Sequence, residues 1–64
     1  MKVNGEDVAL DEAVDLQRFL VLRGFDDKRV AVERNGAIVP RDSFGAVMLE
    51  NGDVLEILHF VGGG

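Results

Sequence analysis

Only one stretch of the sequence carries a helical period, and this limits the fold more than any other feature. Leu16, Phe19 and Leu20 stand at i, i+3 and i+4 and form one apolar stripe. Gly24 follows as the left-handed residue after the last turn. Asp11 or Asp15 supplies the N-cap, and Asp15, immediately before the first periodic residue, is the better placed. The remaining patterned segments read as strands and turns. Val3 and the pair Val8 and Leu10 flank Asn4-Gly5, the strongest short hairpin signal because both turn residues tolerate positive φ, so residues 1 to 10 read as a β-hairpin. Phe25 packs back on the helix end, and Asp26-Asp27-Lys28-Arg29 is a polar connection. Val30-Ala31-Val32-Glu33-Arg34 reads as a strand, Asn35-Gly36 as a second turn, and Ala37-Ile38-Val39 as a short strand stopped by Pro40, which has no N–H for a ladder. Arg41-Asp42-Ser43-Phe44 reads as a helical or 3₁₀ turn from a polar cap with Phe44 inward. Glu50-Asn51-Gly52-Asp53 is a third turn before the last strand.

A single apolar stripe needs a single partner, and a sheet face is the only one on offer. The fold class is therefore α+β: a mixed sheet of about five strands covered on one face by one helix. The last strand, arriving after a long crossover, pairs in parallel with the first in the middle of the sheet, which is the β-grasp arrangement. Its core comprises Val3, Val8, Leu10, Leu16, Phe19, Leu20, Val30, Val32, Phe44, Leu49, Leu55 and Ile57.

The final strand runs into Gly62, Gly63 and Gly64. Glycines without Cβ reach backbone angles and narrow slots closed to other residues. The division is thus a domain over 1–61 and a flexible tail over 62–64, which presents the α-carboxylate of Gly64. The bland alternative is frayed padding. Within the last strand the period of two sends Leu55 and Ile57 to the helix and Glu56, Leu58 and Phe60 to the other face. Leu58 and Phe60, with Val61, are then partner-facing candidates beside the tail, unless Met48 or a neighbouring loop covers them.

At 64 residues without cysteine, neither disulfides nor thiolate metal sites can help the core, and any sulfur handled cannot ride on a side-chain thiol. Seven Lys and Arg against twelve Asp and Glu, a formal charge of −5, argue against nucleic acid and favour basic protein partners. The apolar runs are too short to span a membrane and no signal-peptide pattern is present, so a cytoplasmic protein is expected. The acidic residues Glu6, Asp7, Asp11, Glu12, Asp15, Asp26 and Asp27 read as a solvated surface, and neither Asp26-Asp27 nor His59 has the companions a metal or catalytic site requires. The turn glycines belong to no phosphate-binding loop, so no cofactor is expected on this chain.

The chain resembles the ThiS family of sulfur carriers, prokaryotic ubiquitin-like β-grasp proteins of thiamine-thiazole biosynthesis. The resemblance spans the whole length and rests on the hairpin with Asn4, Leu16-Gln17-Arg18-Phe19-Leu20, the stretch from Val32 through Asn35-Gly36 to Val39-Pro40-Arg41, the Gly52-Asp53 turn and Gly63-Gly64. It implies that a ThiF-type, E1-like enzyme uses MgATP to adenylate Gly64, and that sulfur from a cysteine desulfurase route converts it to a thiocarboxylate. Thiazole synthase, ThiG, then takes the sulfur. On this reading the chain is a protein cosubstrate and not an enzyme, and Gly62 and Gly63 thread the partner active sites. Two features depart from the family pattern: Gly62 makes the diglycine a triglycine, and Arg34 stands where an apolar residue is frequent, which implies a more exposed strand. Two alternatives stay open. One is a MoaD-like carrier for molybdopterin synthase, or a tRNA-thiolation or ubiquitin-like modifier, although MoaD-like chains are usually longer and approach their diglycine through a proline-containing segment. The other is a plain interaction domain with an inert tail.

Overall fold

The computed structural model describes residues 1–60. Strands β1 (Lys2–Val3) and β2 (Glu6–Asp7) form the first hairpin, followed by helix α1 (Leu16–Leu22), β3 (Val30–Arg34), β4 (Ala37–Ile38), a 3₁₀ helix (Arg41–Ala46) and β5 (Val54–His59). The five strands lie in the order β2-β1-β5-β3-β4, with β5 parallel to β1 and antiparallel to β3. This matches the β-grasp arrangement inferred from the single helix. Among the described residues no helix is long and apolar enough to cross a membrane.

The two hairpins turn on Asn4-Gly5 and Asn35-Gly36, all four residues at φ between 50° and 86°. Such mirror-image turns match the twist of the flanking strands. The first ladder is shorter than the expected residues 1 to 10: it pairs Lys2 with Asp7 and Val3 with Glu6, and one further bond runs from the Val8 N–H to the Met1 carbonyl at 2.8 Å. Val8 and Leu10 are consequently half-buried at the rim of the core instead of within it, whereas the other ten residues assigned to the core are buried.

Helix α1 starts where the N-cap argument places it. Asp15 has extended backbone, and its carboxylate accepts from the Arg18 N–H at 2.8 Å. The helix ends with Gly24 at φ 84°, the Gly24 N–H bonding to Val21 and the Phe25 N–H to Leu20, a Schellman closure that turns half-buried Phe25 back onto the core. Replacing Asp15 with alanine should cost about 1 kcal/mol, read as a lower urea midpoint with an unchanged slope.

Parallel pairing sets Val3 beside Leu55, and antiparallel pairing sets Val32 beside Ile57, so one sheet face meets Leu16, Phe19 and Leu20. The 3₁₀ helix corrects one expectation. It begins after Pro40 with no side-chain cap, the Pro40 carbonyl itself accepting from the Ser43 N–H at 2.8 Å. Phe44 is buried from it, as its position predicts. The third turn also differs from the first two: Asn51 and Gly52 need no positive φ, and the turn closes through the Asp53 N–H to the Glu50 carbonyl at 3.0 Å.

Candidate functional site

Strand β5 leads to the glycines, and the fold holds it along its whole length. At its start the Asn35 side chain accepts from the Val54 N–H at 2.9 Å, while the Asn35 N–H donates to the Val54 carbonyl at 2.8 Å. Midway, β1 has already turned away at Asn4, and the Asn4 amide replaces the missing ladder. Its Oδ1 accepts from the Ile57 N–H at 2.7 Å and its Nδ2 donates to the Ile57 carbonyl at 3.2 Å. At the far end the Phe60 N–H donates to the Arg29 carbonyl at 3.0 Å. Both hairpin asparagines thus combine a left-handed backbone with an amide that acts as donor and acceptor, a pair of abilities that aspartate and glycine lack.

Asp53, immediately before β5, is the one buried charged residue among those described, 4 % exposed. Its carboxylate accepts from the Glu50 N–H at 2.8 Å, Arg34 Nε at 3.0 Å and Asn35 Nδ2 at 3.0 Å, and Arg34 also donates to the Met48 carbonyl at 3.2 Å. Burial pushes the Asp53 carboxyl up. The hydrogen bonds from Glu50, Asn35 and Arg34, with the Arg34 charge, outweigh it and hold the group below the usual carboxylate value. Arg34 therefore does not signal an exposed strand: it lies on the helix-facing parity of β3, between solvent and core, as the counterion of Asp53.

Leu58 and Phe60 are 60 % and 59 % exposed on the sheet face away from α1. Met48, the side chain considered as their cover, is itself exposed. Val54 and Ile38 add to this apolar surface. His59 is exposed in its strand position, and its side chain makes no hydrogen bond among the described residues. No group of three His, Cys, Asp or Glu that could hold a metal ion occurs among the described residues. Of the residues singled out in the sequence, Val61, Gly62, Gly63 and Gly64 lie outside the described residues. Among the described residues no side-chain nucleophile and base are hydrogen-bonded to each other; what the described residues offer is a firmly held strand β5 with an apolar surface on its open face.

Comparisons with known proteins agree on one group. A family model described as the ThiS family matches residues 1–64. The chain is 44% identical over 62 residues to a thiazole synthase of Magnetococcus marinus, a match that covers 97% of this chain and 19% of that protein. It is 38% identical over 65 residues to the sulfur carrier protein ThiS of Bacillus subtilis, covering 100% of this chain and 98% of that one. A crystal structure of the thiamine biosynthesis protein ThiS from Geobacter metallireducens superposes with a TM-score of 0.79 at 35% identity, over 98% of this chain and 96% of that one. The chain thus spans about a fifth of the length of the thiazole synthase it resembles, and nearly all of the two ThiS proteins.

Proposed function

The chain belongs to the ThiS family, and on that premise we propose that it is a sulfur carrier of thiamine biosynthesis whose reacting group is the carboxyl of Gly64. It acts as a protein cosubstrate and performs no catalysis itself. A ThiF-type enzyme supplies MgATP; the Gly64 carboxylate attacks the α-phosphorus, pyrophosphate leaves, and the acyl-adenylate becomes a good electrophile where the free carboxylate is a poor one. The outer sulfur of a persulfide from a cysteine desulfurase route attacks the acyl carbon and AMP leaves. A thiol then cleaves the resulting S–S bond, which frees the thiocarboxylate for thiazole synthase. Gly62 and Gly63 leave the path into each active site free of side chains.

The observation that carries this reading is the end-to-end match to ThiS proteins of nearly the same length. The thiazole synthase relatives favour a thiazole-forming acceptor over a molybdopterin one. The clamped strand β5 supports it physically, because a tail that must be delivered to two enzymes gains from a rigid mount. Incubation with the ThiF-type enzyme, ATP and a persulfide donor should add about 16 Da, the exchange of one oxygen for sulfur that acyl activation requires. Intact-protein mass spectrometry reads it, and no gain with an enzyme that forms the adenylate would end the proposal.

A further inference from the structure

The open sheet face carries an arrangement that packing within the chain does not explain. Glu33 on β3 and Glu56 on β5 stand directly opposite each other in the antiparallel ladder. Opposed residues of this kind hold their Cβ atoms about 4.5–5.5 Å apart, and like charges there destabilise the sheet. Among the described residues neither carboxylate has an ion pair or a side-chain hydrogen bond. Around the pair lie Ile38, adjacent to Glu33 across the β3–β4 ladder, and Val54 and Leu58, two residues to either side of Glu56 on the same face. Beyond Val54 on the same face, Lys2 is already paired with Asp7 at 3.1 Å. The two acids, without a cation of their own and flanked by exposed Ile38, Val54 and Leu58, form a surface complementary to a cation held in a partly apolar setting.

Resting on the carrier reading, we infer that this face docks on the thiazole synthase that receives the sulfur, and that an arginine of that enzyme enters between Glu33 and Glu56. A guanidinium has donors enough for both carboxylates, and its flat faces suit an apolar rim. A second copy of the chain fits poorly, since isologous contact would bring four carboxylates together. Thiazole synthase is favoured as occupant because in the Magnetococcus and Paramagnetospirillum relatives the matched segment is a minor part of a protein named thiazole synthase, so in those chains the two surfaces share one polypeptide. The repulsion between the acids, a defect in the free chain, becomes a binding determinant when the cation arrives.

The test is calorimetric titration of the full chain into thiazole synthase from the same organism, comparing wild type with the double variant E33Q/E56Q at low and high salt. Removing the two charges should weaken binding about tenfold or more and flatten its salt dependence, with the thermal midpoint unchanged or raised by a few degrees. Leu58→Ser should weaken binding while leaving the salt dependence intact. Equal affinity and salt dependence for wild type and E33Q/E56Q would overturn the inference, as would a loss confined to the ThiF-type enzyme or a wild-type chain that binds only itself. Loading of the same samples, followed by mass, separates the two claims. A wild type that gains sulfur while the Gln variant binds thiazole synthase as well as it does sinks the docking face alone. A wild type that docks through these acids but never gains sulfur sinks the carrier reading.

Discussion

Replacing Asp53 with alanine is expected to remove about 2 to 4 kcal/mol of stability, a large part of the roughly 3 to 5 kcal/mol that a core of this size supplies. The loss follows from what the carboxylate leaves behind. The Glu50 N–H, Arg34 Nε and Asn35 Nδ2 all point at the buried carboxylate, and alanine gives them no acceptor. Arg34 is 30 % exposed and can recover part of its hydration, which holds the cost below that of an isolated buried charge. Asn35 also bonds Val54, so the damage extends to the first residue of β5. Asp53→Asn keeps the shape and one acceptor and should lose about half as much. Urea unfolding of the three proteins provides the comparison; a loss below about 1 kcal/mol for alanine would mean that water replaces the carboxylate without penalty.

The same group sets an acid limit. Because the folded state holds the Asp53 carboxyl below its ordinary value, the native chain binds fewer protons there than the unfolded one. Its contribution is therefore complete above the unfolded value near pH 4 and disappears as pH falls through the lower folded value. The thermal midpoint of the wild type should drop over that acid range more steeply than that of Asp53→Asn, which has no carboxyl at position 53 to titrate.

Local chemistry made the helix and hairpins legible. Asp15, Gly24 and the two Asn-Gly turns each act on neighbours within a few residues, so their roles follow from short stretches of sequence. The long-range bonds were less visible. Asn4 reaches Ile57 across 53 residues, and nothing near Asn4 announces a partner so far along the chain. Asp53 reads only as the last residue of a turn until the fold brings Arg34 over it. A signal for that pair did exist: Arg34 shares the inward parity of Val30 and Val32, and a charge on a buried face calls for a counterion. At the candidate site, parity alone sent Leu58 and Phe60 to the face away from the helix, but only the coordinates show that Met48 leaves them open. The facing of Glu33 and Glu56 depends on the β3–β5 register, which no single strand contains.

Adding one alanine after Gly64 is expected to lower sulfur loading at least 100-fold while leaving the melting temperature unchanged. The extension moves the reacting carboxyl about 3.5 Å along the chain and places a methyl beside it. In-line attack on the α-phosphorus tolerates little of this, since misplacement by about 1 Å can already cost on the order of 100-fold. Folding should not register the change. The Asn35, Asn4 and Arg29 contacts that fix β5 are all made at or before Phe60, and the core lies behind Leu55 and Ile57. Mass spectrometry for the thiocarboxylate and thermal melting on one sample separate the possibilities. An extended chain loaded like wild type would show that the carboxyl need not be that of Gly64, whereas a wild type that never loads would leave the interaction-domain reading standing. Loss of loading with an intact melt places the chemistry at the terminal carboxyl, because an inert tail has no reason to care where it ends.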